Sequence, residues 1–232
     1  MELWLFLLRW IHFLAGITWI GLLYYFNFVQ TPFFAETEPP VRSGAIQKLV
    51  PRALWWFRWG AMFTFLSGIL IYLHKLAQAG LEGFFSTSYG WAITVGGTLG
   101  TIMFLNVWLV IWPNQKVVIA SATQVAQGGQ AIPEAAARGR RAALTSRTNT
   151  LFSIPMLFYM GAASHYGFFG EASAGAMIGM TIIGGLIIAA IEINALVGSQ
   201  GPTKKPLDTV SGTLWAGFIL AAILHLLFLL LF

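Results

Sequence analysis

Long apolar segments constrain this chain more than any other feature of its sequence. A membrane-spanning helix needs roughly 20 mostly apolar residues. Six segments fit that length, at residues 3–29, 53–77, 91–112, 148–166, 173–197 and 211–232. Only 9% of the 232 residues are charged, whereas a soluble domain carries about 25%. The sequence therefore predicts an all-α, polytopic membrane helical bundle of about six spans, with residues 1–232 forming one integral membrane domain.

The distribution of Lys and Arg predicts the orientation of the spans. Basic residues are enriched in cytoplasmic loops. Ten of them lie in the connections between spans 1 and 2, 3 and 4, and 5 and 6, whereas Lys75 alone lies in a connection on the other side. We therefore expect a multi-pass protein of the bacterial inner membrane with both termini in the periplasm. The net charge of +5 then orients the chain against anionic lipid, and we expect no nucleic-acid partner.

Several kinds of functional site are excluded by what the sequence lacks. The absence of Cys rules out disulfides, iron–sulfur clusters, thiolate zinc sites and covalently attached haem. There is also no Walker A motif, no dinucleotide-binding glycine motif after a strand and no HExxH zinc motif. No set of Ser, His and Asp stands out, so the sequence identifies no catalytic residue.

The four histidines all fall in the outer half of the predicted bilayer. At 1.5 Å per residue, His12 lies about 13 Å and His225 about 10 Å from the outer end of its span. An ionisable side chain inside a span indicates function by default, and buried imidazoles in helical bundles suit a metal or haem iron. His74 and His165 close their spans at the outer surface, where a histidine can instead rest in the headgroup region.

Small residues near these histidines favour haem b over a bare metal ion. Gly16 lies one turn inward of His12 on the same helical face, where it would leave room for a porphyrin. Small residues also serve plain helix packing, which is the alternative. Arg9, three residues outward of His12, can pair with a haem propionate or can extend to the interface.

Depth suggests how the histidines would pair as haem ligands. His12 matches His225, and His74 matches His165, which predicts one or two bis-histidine haems. Tilted spans leave a crossed pairing open. A single haem held by the deep pair is the simpler version.

A second polar set lies on the inner side of the predicted bundle. It consists of Arg58, Asn106, Asn149 and Glu192. Arg58 and Glu192 have similar predicted depth and opposite charge, so one interpretation is a structural ion pair. The other is a polar pocket that opens to the cytoplasm and accepts an anionic or polar substrate.

Four sequence blocks carry a resemblance to a known family. They are RWIHFLAGITWIG at 9–21, WWFRWG at 55–60, NVW at 106–108 with IWPNQK at 111–116, and SRTNT at 146–150 with PM at 155–156. These blocks resemble the membrane-bound, cytochrome-c-linked urate oxidases of the PuuD type. The RxxH pattern of the first span is also similar, more weakly, to small haem-binding membrane proteins of the protoporphyrinogen-oxidase kind.

The resemblance implies a multi-span domain that oxidises urate to 5-hydroxyisourate and delivers electrons to a cytochrome c. Long members carry a C-terminal cytochrome c domain, whereas this sequence has no CxxCH motif, so we expect a short member without that domain. The expected protein is a haem-b-binding redox protein of purine catabolism. Its expected partners are a periplasmic cytochrome c or a respiratory complex, the lipid bilayer and a second copy of itself.

Two other functions stay open at this point. One is a non-catalytic, haem-bearing or structural accessory subunit of a larger membrane respiratory complex. The other is a small-molecule or haem transporter. A visible absorption spectrum tests the redox role. A b-type spectrum supports that role, and its absence favours a transporter or a structural subunit.

Overall fold

A computed structural model describes residues 3–167 and 171–232, and nearly all of them are helical. The helices in these ranges are α1 (Leu3–Glu36), α2 (Pro39–Lys48), α3 (Val50–Phe85), α4 (Ser88–Ala126), α5 (Ala135–His165), α6 (Ala174–Leu196), α7 (Lys205–Asp208) and α8 (Val210–Leu231). No strand occurs in the described ranges. The all-α prediction is confirmed.

Five of these helices are long and apolar enough to cross a membrane. They are α1, α3, α4, α6 and α8, which confirms the predicted polytopic membrane bundle. The predicted span at 148–166 lies within α5, which is long enough but carries a more polar sequence than the other five. The orientation of the termini stays a prediction.

Helix α5 occupies the centre of the bundle. It packs against α1, α4, α6 and α8. Its polar side chains at Thr148, Asn149, Thr150 and Ser153 are completely buried. Because protein rather than lipid surrounds this helix, its hydroxyl and amide groups can find hydrogen-bond partners, and a uniformly apolar sequence is not required.

The sequence of the two long connections predicts a short surface helix near the Pro39-Pro40 pair, and a helix continuing to Gln127, then Gly128-Gly129 and a basic helix that opens at Pro133-Glu134. Both connections fold largely in this way. A surface helix, α2, follows the Pro39-Pro40 pair in the first connection. In the second, α4 continues to Ala126 and ends before Gly128, whose φ of 85° suits glycine. Helix α5 then begins at Ala135, beside the predicted start.

Close approach of α1 and α3 depends on Gly60. A Cβ at this position would lie 3.1 Å from the backbone nitrogen of Trp19 and 3.2 Å from the carbonyl oxygen of Ala15. The two helices therefore meet backbone to backbone, as small residues allow between membrane helices. This contact sets the surroundings of His12.

In the described part of the chain, α1 and α4 each contain a π-helical turn towards the end of the bundle that the sequence predicts to face the cytoplasm. The turn in α1 covers Tyr25–Gln30, and the turn in α4 covers Asn106–Ile111. A π turn adds a residue to the local helical repeat and often occurs at functional sites. These two turns bring Asn27, Gln30 and Ile111 around one cavity next to α5.

Candidate functional site

His12 lies in the contact between α1 and α3. Its Nδ1 donates a hydrogen bond to the carbonyl oxygen of Thr64 at 2.9 Å and lies 3.2 Å from Ser67 Oγ. A carbonyl oxygen can only accept, so the ring is the tautomer with a proton on Nδ1. That tautomer leaves Nε2 with a lone pair, the state that a metal ligand requires.

The space beside His12 does not fit a porphyrin in this packing. A Cβ added at Gly16 would lie 3.8 Å from Thr64 Cγ2, and a Cβ added at Gly68 would lie 3.0 Å from the imidazole Cε1. Helix α3 therefore fills the room that small residues were expected to leave. In the described ranges, no group of three or more His, Asp or Glu side chains is arranged to hold a metal ion. Haem b stays a prediction, and we assign no step to it.

The other histidines have different surroundings. The ring of His74 meets that of Trp4 edge to face, with 4.6 Å between centroids. The ring of His225 lies 5.8 Å from that of Tyr166. His165 is the last residue of α5 and is exposed. None of these contacts identifies a haem ligand, so the roles of the three residues stay predictions.

The predicted histidine pairing and the predicted role of Arg9 likewise stay predictions. His12 bonds to α3, whereas the ring contacts described for His225 come from α5. The pairing of the two deep histidines therefore stays a prediction. Arg9 lies close enough to Tyr89, at the start of α4, for the two side chains to interact electrostatically.

Three members of the inner polar set form one hydrogen-bond network. The side-chain amide of Asn106 donates to Asn149 Oδ1 at 2.9 Å and to Glu192 Oε2 at 3.0 Å. Asn149 in turn donates to the carbonyl oxygen of Met103 at 2.9 Å. The network joins α4, α5 and α6 and satisfies polar groups that would otherwise be costly in a membrane interior.

Arg58, the fourth member, lies apart from this network. Its guanidinium carbon is 3.5 Å from the ring centroid of Trp112, and its Nε donates to the carbonyl oxygen of Leu54 at 3.1 Å. In the part of the chain that the structure describes, no ion pair joins Arg58 to Glu192. The interpretation of these two residues as an ion pair is therefore wrong, because tryptophan faces stabilise the Arg58 cation instead.

A cavity of about 180 Å³ lies where α1, α3, α4, α5 and α7 meet, at the end of the bundle that the sequence predicts to face the cytoplasm. It is smaller than the roughly 300–1,000 Å³ that drug-sized ligands occupy, so it suits a small molecule. Phe26 and Phe57 form an aromatic wall, with their rings edge to face and 5.4 Å between centroids. This cavity has the concave shape of a ligand site, and its lining combines the apolar wall with polar and charged side chains.

Arg147 is the unusual residue of the cavity lining. Arg147 is only 7% exposed, and its Nη1 has no hydrogen-bond partner among the described residues. Burial lowers the pKa of Arg147, and the nearby carboxylate of Asp208 opposes that shift. A buried guanidinium nitrogen without a partner is costly, and an anion that reached Nη1 would satisfy it.

Gln30 supplies an unused acceptor in the same cavity. Its Oε1 is buried and has no hydrogen-bond partner among the described residues. The neighbouring Asn27 is already engaged, since its Nδ2 donates to Ser146 Oγ and to the carbonyl oxygen of Leu23, both at 2.8 Å. Arg147 and Gln30 thus both line the cavity, and each carries one buried polar atom, a donor at Arg147 and an acceptor at Gln30, without a hydrogen-bond partner among the described residues. A planar anion with both N–H and C=O groups on its edges matches that pair.

Two further charges lie in the cavity lining. Arg140 Nη2 is 2.8 Å from Asp208 Oδ1, and the side chains of both residues are more than a third exposed. Arg140 also donates from Nε to the carbonyl oxygen of Ser199 at 3.1 Å. The exposed ion pair and the buried Arg147 together leave one uncompensated positive charge among these three side chains.

Sequence reasoning missed Arg147 as a candidate site residue. It counted only as one of the ten basic residues that predict orientation. Its position in the SRTNT block, at the predicted start of a span, was the available signal. The opposing groups, Gln30 and Asp208, are distant in sequence, so only the fold brings them to Arg147.

Comparison with known proteins supplies the chemical context for this cavity. The family model described as urate oxidase N-terminal matches residues 75–194, just over half of the chain. The matched segment contains Arg147 and the Asn106, Asn149 and Glu192 network. No curated protein and no solved structure matches the chain significantly.

Proposed function

The chain belongs to the urate oxidase N-terminal family, and from that premise we propose that it binds urate in the Arg147 cavity and takes part in urate oxidation. Urate is a small, planar monoanion at neutral pH, and N–H and C=O groups alternate around its edge. Those properties match the unfilled Arg147 donor, the unfilled Gln30 acceptor and the aromatic wall.

The buried Nη1 of Arg147 is the observation that carries this proposal. In the proposed complex, Arg147 binds the anionic edge of urate, and Gln30 accepts a hydrogen bond from a ring N–H. Phe26 and Phe57 exclude water from the ring faces. Bound in this way, urate is held in one orientation before electrons are withdrawn.

The proposed overall reaction converts urate and one water molecule into 5-hydroxyisourate, two protons and two electrons. Cytochrome c is the proposed electron acceptor, as the resemblance implies. Arg147, Gln30 and the aromatic wall hold urate, and none of them is assigned to electron transfer.

Urate binding to the purified full chain in detergent tests the proposal. Arg147→Gln should weaken binding by about ten- to a hundredfold, because a charge-assisted hydrogen bond contributes roughly 1.5–3 kcal/mol. Arg42→Gln is the matched control, since Arg42 is exposed and lies outside the cavity. Unchanged affinity in a folded Arg147→Gln protein would overturn the proposed site.

Turnover is measured separately, as urate-dependent reduction of added cytochrome c. Activity that is lost with Arg147→Gln and kept with Arg42→Gln supports the catalytic role. Urate binding without any cytochrome c reduction would favour the alternative of a non-catalytic accessory subunit.

A further inference from the structure

Among the described residues, three charged side chains line the cavity, and they differ in burial and in ion pairing. Arg147 is buried and has an unused donor. Arg140 and Asp208 are about 36% and 45% exposed and form an ion pair with each other at 2.8 Å. The sum of the three charges is one positive charge, which equals the charge that a single monoanion would neutralise.

Asp208 interacts with two cations that belong to one helix. Arg140 and Arg147 both belong to α5 and are separated by about two turns, whereas Asp208 ends the short helix α7. The carboxylate bonds directly to Arg140 and also acts electrostatically on Arg147. A change at Asp208 therefore alters the potential of the whole cavity.

We propose that Asp208 determines the charge specificity of the cavity by neutralising Arg140, so that one buried guanidinium is left to attract one ligand charge. This inference rests on the proposed function, because it concerns selection at the same site. It goes further by assigning specificity to a residue that lies outside the family match.

The two partners of the ion pair have opposite expected effects. Without the carboxylate, Arg140 adds a second positive charge to the cavity, and anions bind more tightly. Without the guanidinium, the carboxylate of Asp208 cancels the charge of Arg147, and anions bind more weakly. If the ion pair only stabilised the fold, losing either partner would change binding in the same direction.

The test measures binding of three planar probes to the purified full chain at about pH 6.5, where xanthine is almost entirely neutral and the other two probes are anionic. They are urate, the neutral purine xanthine, and orotate, a pyrimidine monoanion. We expect Asp208→Asn to tighten urate and orotate binding by about three- to tenfold and Arg140→Gln to weaken it by a similar factor, since these half-exposed charges are partly screened. Xanthine binding should change little, and raising the salt concentration should shrink both shifts.

Arg140→Lys keeps the positive charge and should restore most of the binding that Arg140→Gln loses. Arg42→Gln is the control, because Arg42 is exposed and lies outside the cavity, and it should bind anions like the unmodified protein. Shifts of the same sign in Asp208→Asn and Arg140→Gln would overturn the inference while leaving the proposed function intact. Opposite shifts with orotate, in a protein that does not bind urate, would support charge selection and defeat the proposed function. Failure to bind either anion would overturn both.

Discussion

Asn106 donates one hydrogen of its side-chain amide to Glu192 across 3.0 Å and the other to Asn149 across 2.9 Å. A single neutral amide thus joins three helices and stabilises a carboxyl group in a membrane-spanning helix. Arg58, the cation expected to do this, stacks on Trp112 instead. The two arrangements predict different energetic couplings, which mutation can measure.

A double-mutant cycle should find coupling between Asn106 and Glu192 and none between Arg58 and Glu192. We expect a coupling energy of about 1–2 kcal/mol for Asn106→Ala with Glu192→Ala, because the hydrogen bond involves a carboxyl group. Thermal or denaturant unfolding in detergent measures it. Non-additive effects of Arg58→Ala and Glu192→Ala would contradict the observed separation.

His12 should act as a packing residue that bridges α1 and α3. His12→Ala should lower the free energy of unfolding by about 0.5–1.5 kcal/mol through loss of the hydrogen bond to Thr64, with a further loss from the space left behind. His12→Asn can still donate to that carbonyl oxygen and should be less destabilising. Unfolding of both variants in detergent checks the order.

A reduced visible spectrum of the same proteins tests the haem prediction. A b-type spectrum that disappears in both His12 variants and in His225→Ala would show that α1 and α3 separate to admit haem. That result would contradict the packing role of His12. A b-type spectrum that survives all three substitutions would favour His74 and His165 as the haem ligands.

Gly60 should tolerate no side chain, because α1 approaches it so closely. Gly60→Ala places a methyl group about 3.1 Å from the Trp19 nitrogen, and we expect a loss of about 1–3 kcal/mol from overpacking. Gly97→Ala is the matched control, because Gly97 also lies in a helix. Apart from its chain neighbours and its own helix backbone, a Cβ at that position would have no described atom within 4 Å. Equal unfolding temperatures for the two variants would show that the contact can relax.

Lys204 should make stability depend on pH. It is 2% exposed, and burial, reinforced by the charges of Arg140 and Arg141, lowers its pKa below the ordinary value. The unfolded chain therefore binds the proton more tightly than the folded chain does. Stability should rise as the pH increases from the folded pKa of Lys204 towards its unfolded pKa.

Substitution isolates this effect. Lys204→Met should flatten the rise in unfolding temperature at alkaline pH, whereas Lys205→Met, at an exposed neighbouring position, should leave it unchanged. An identical pH profile for Lys204→Met and the unmodified protein would show that the lysine does not titrate in this range.

Much of the fold follows from the sequence alone, because hydropathy is a local property. The apolar segments predict the spanning helices, the Pro39-Pro40 pair predicts the surface helix α2, and Gly128 predicts the break before α5. The network residues Asn106, Asn149 and Glu192 could also be singled out, since polar side chains in apolar segments are conspicuous.

Tertiary structure alone decided which of these residues meet. Arg58 and Glu192 have matching predicted depth, yet depth does not specify the direction in which a side chain leaves its helix. Arg147, Gln30 and Asp208 come together only because a π turn in α1 and the short helix α7 close on the central helix α5. Sequence patterns report position along each helix, whereas the cavity depends on the rotation and packing of several helices, which are set by contacts between residues far apart in the chain.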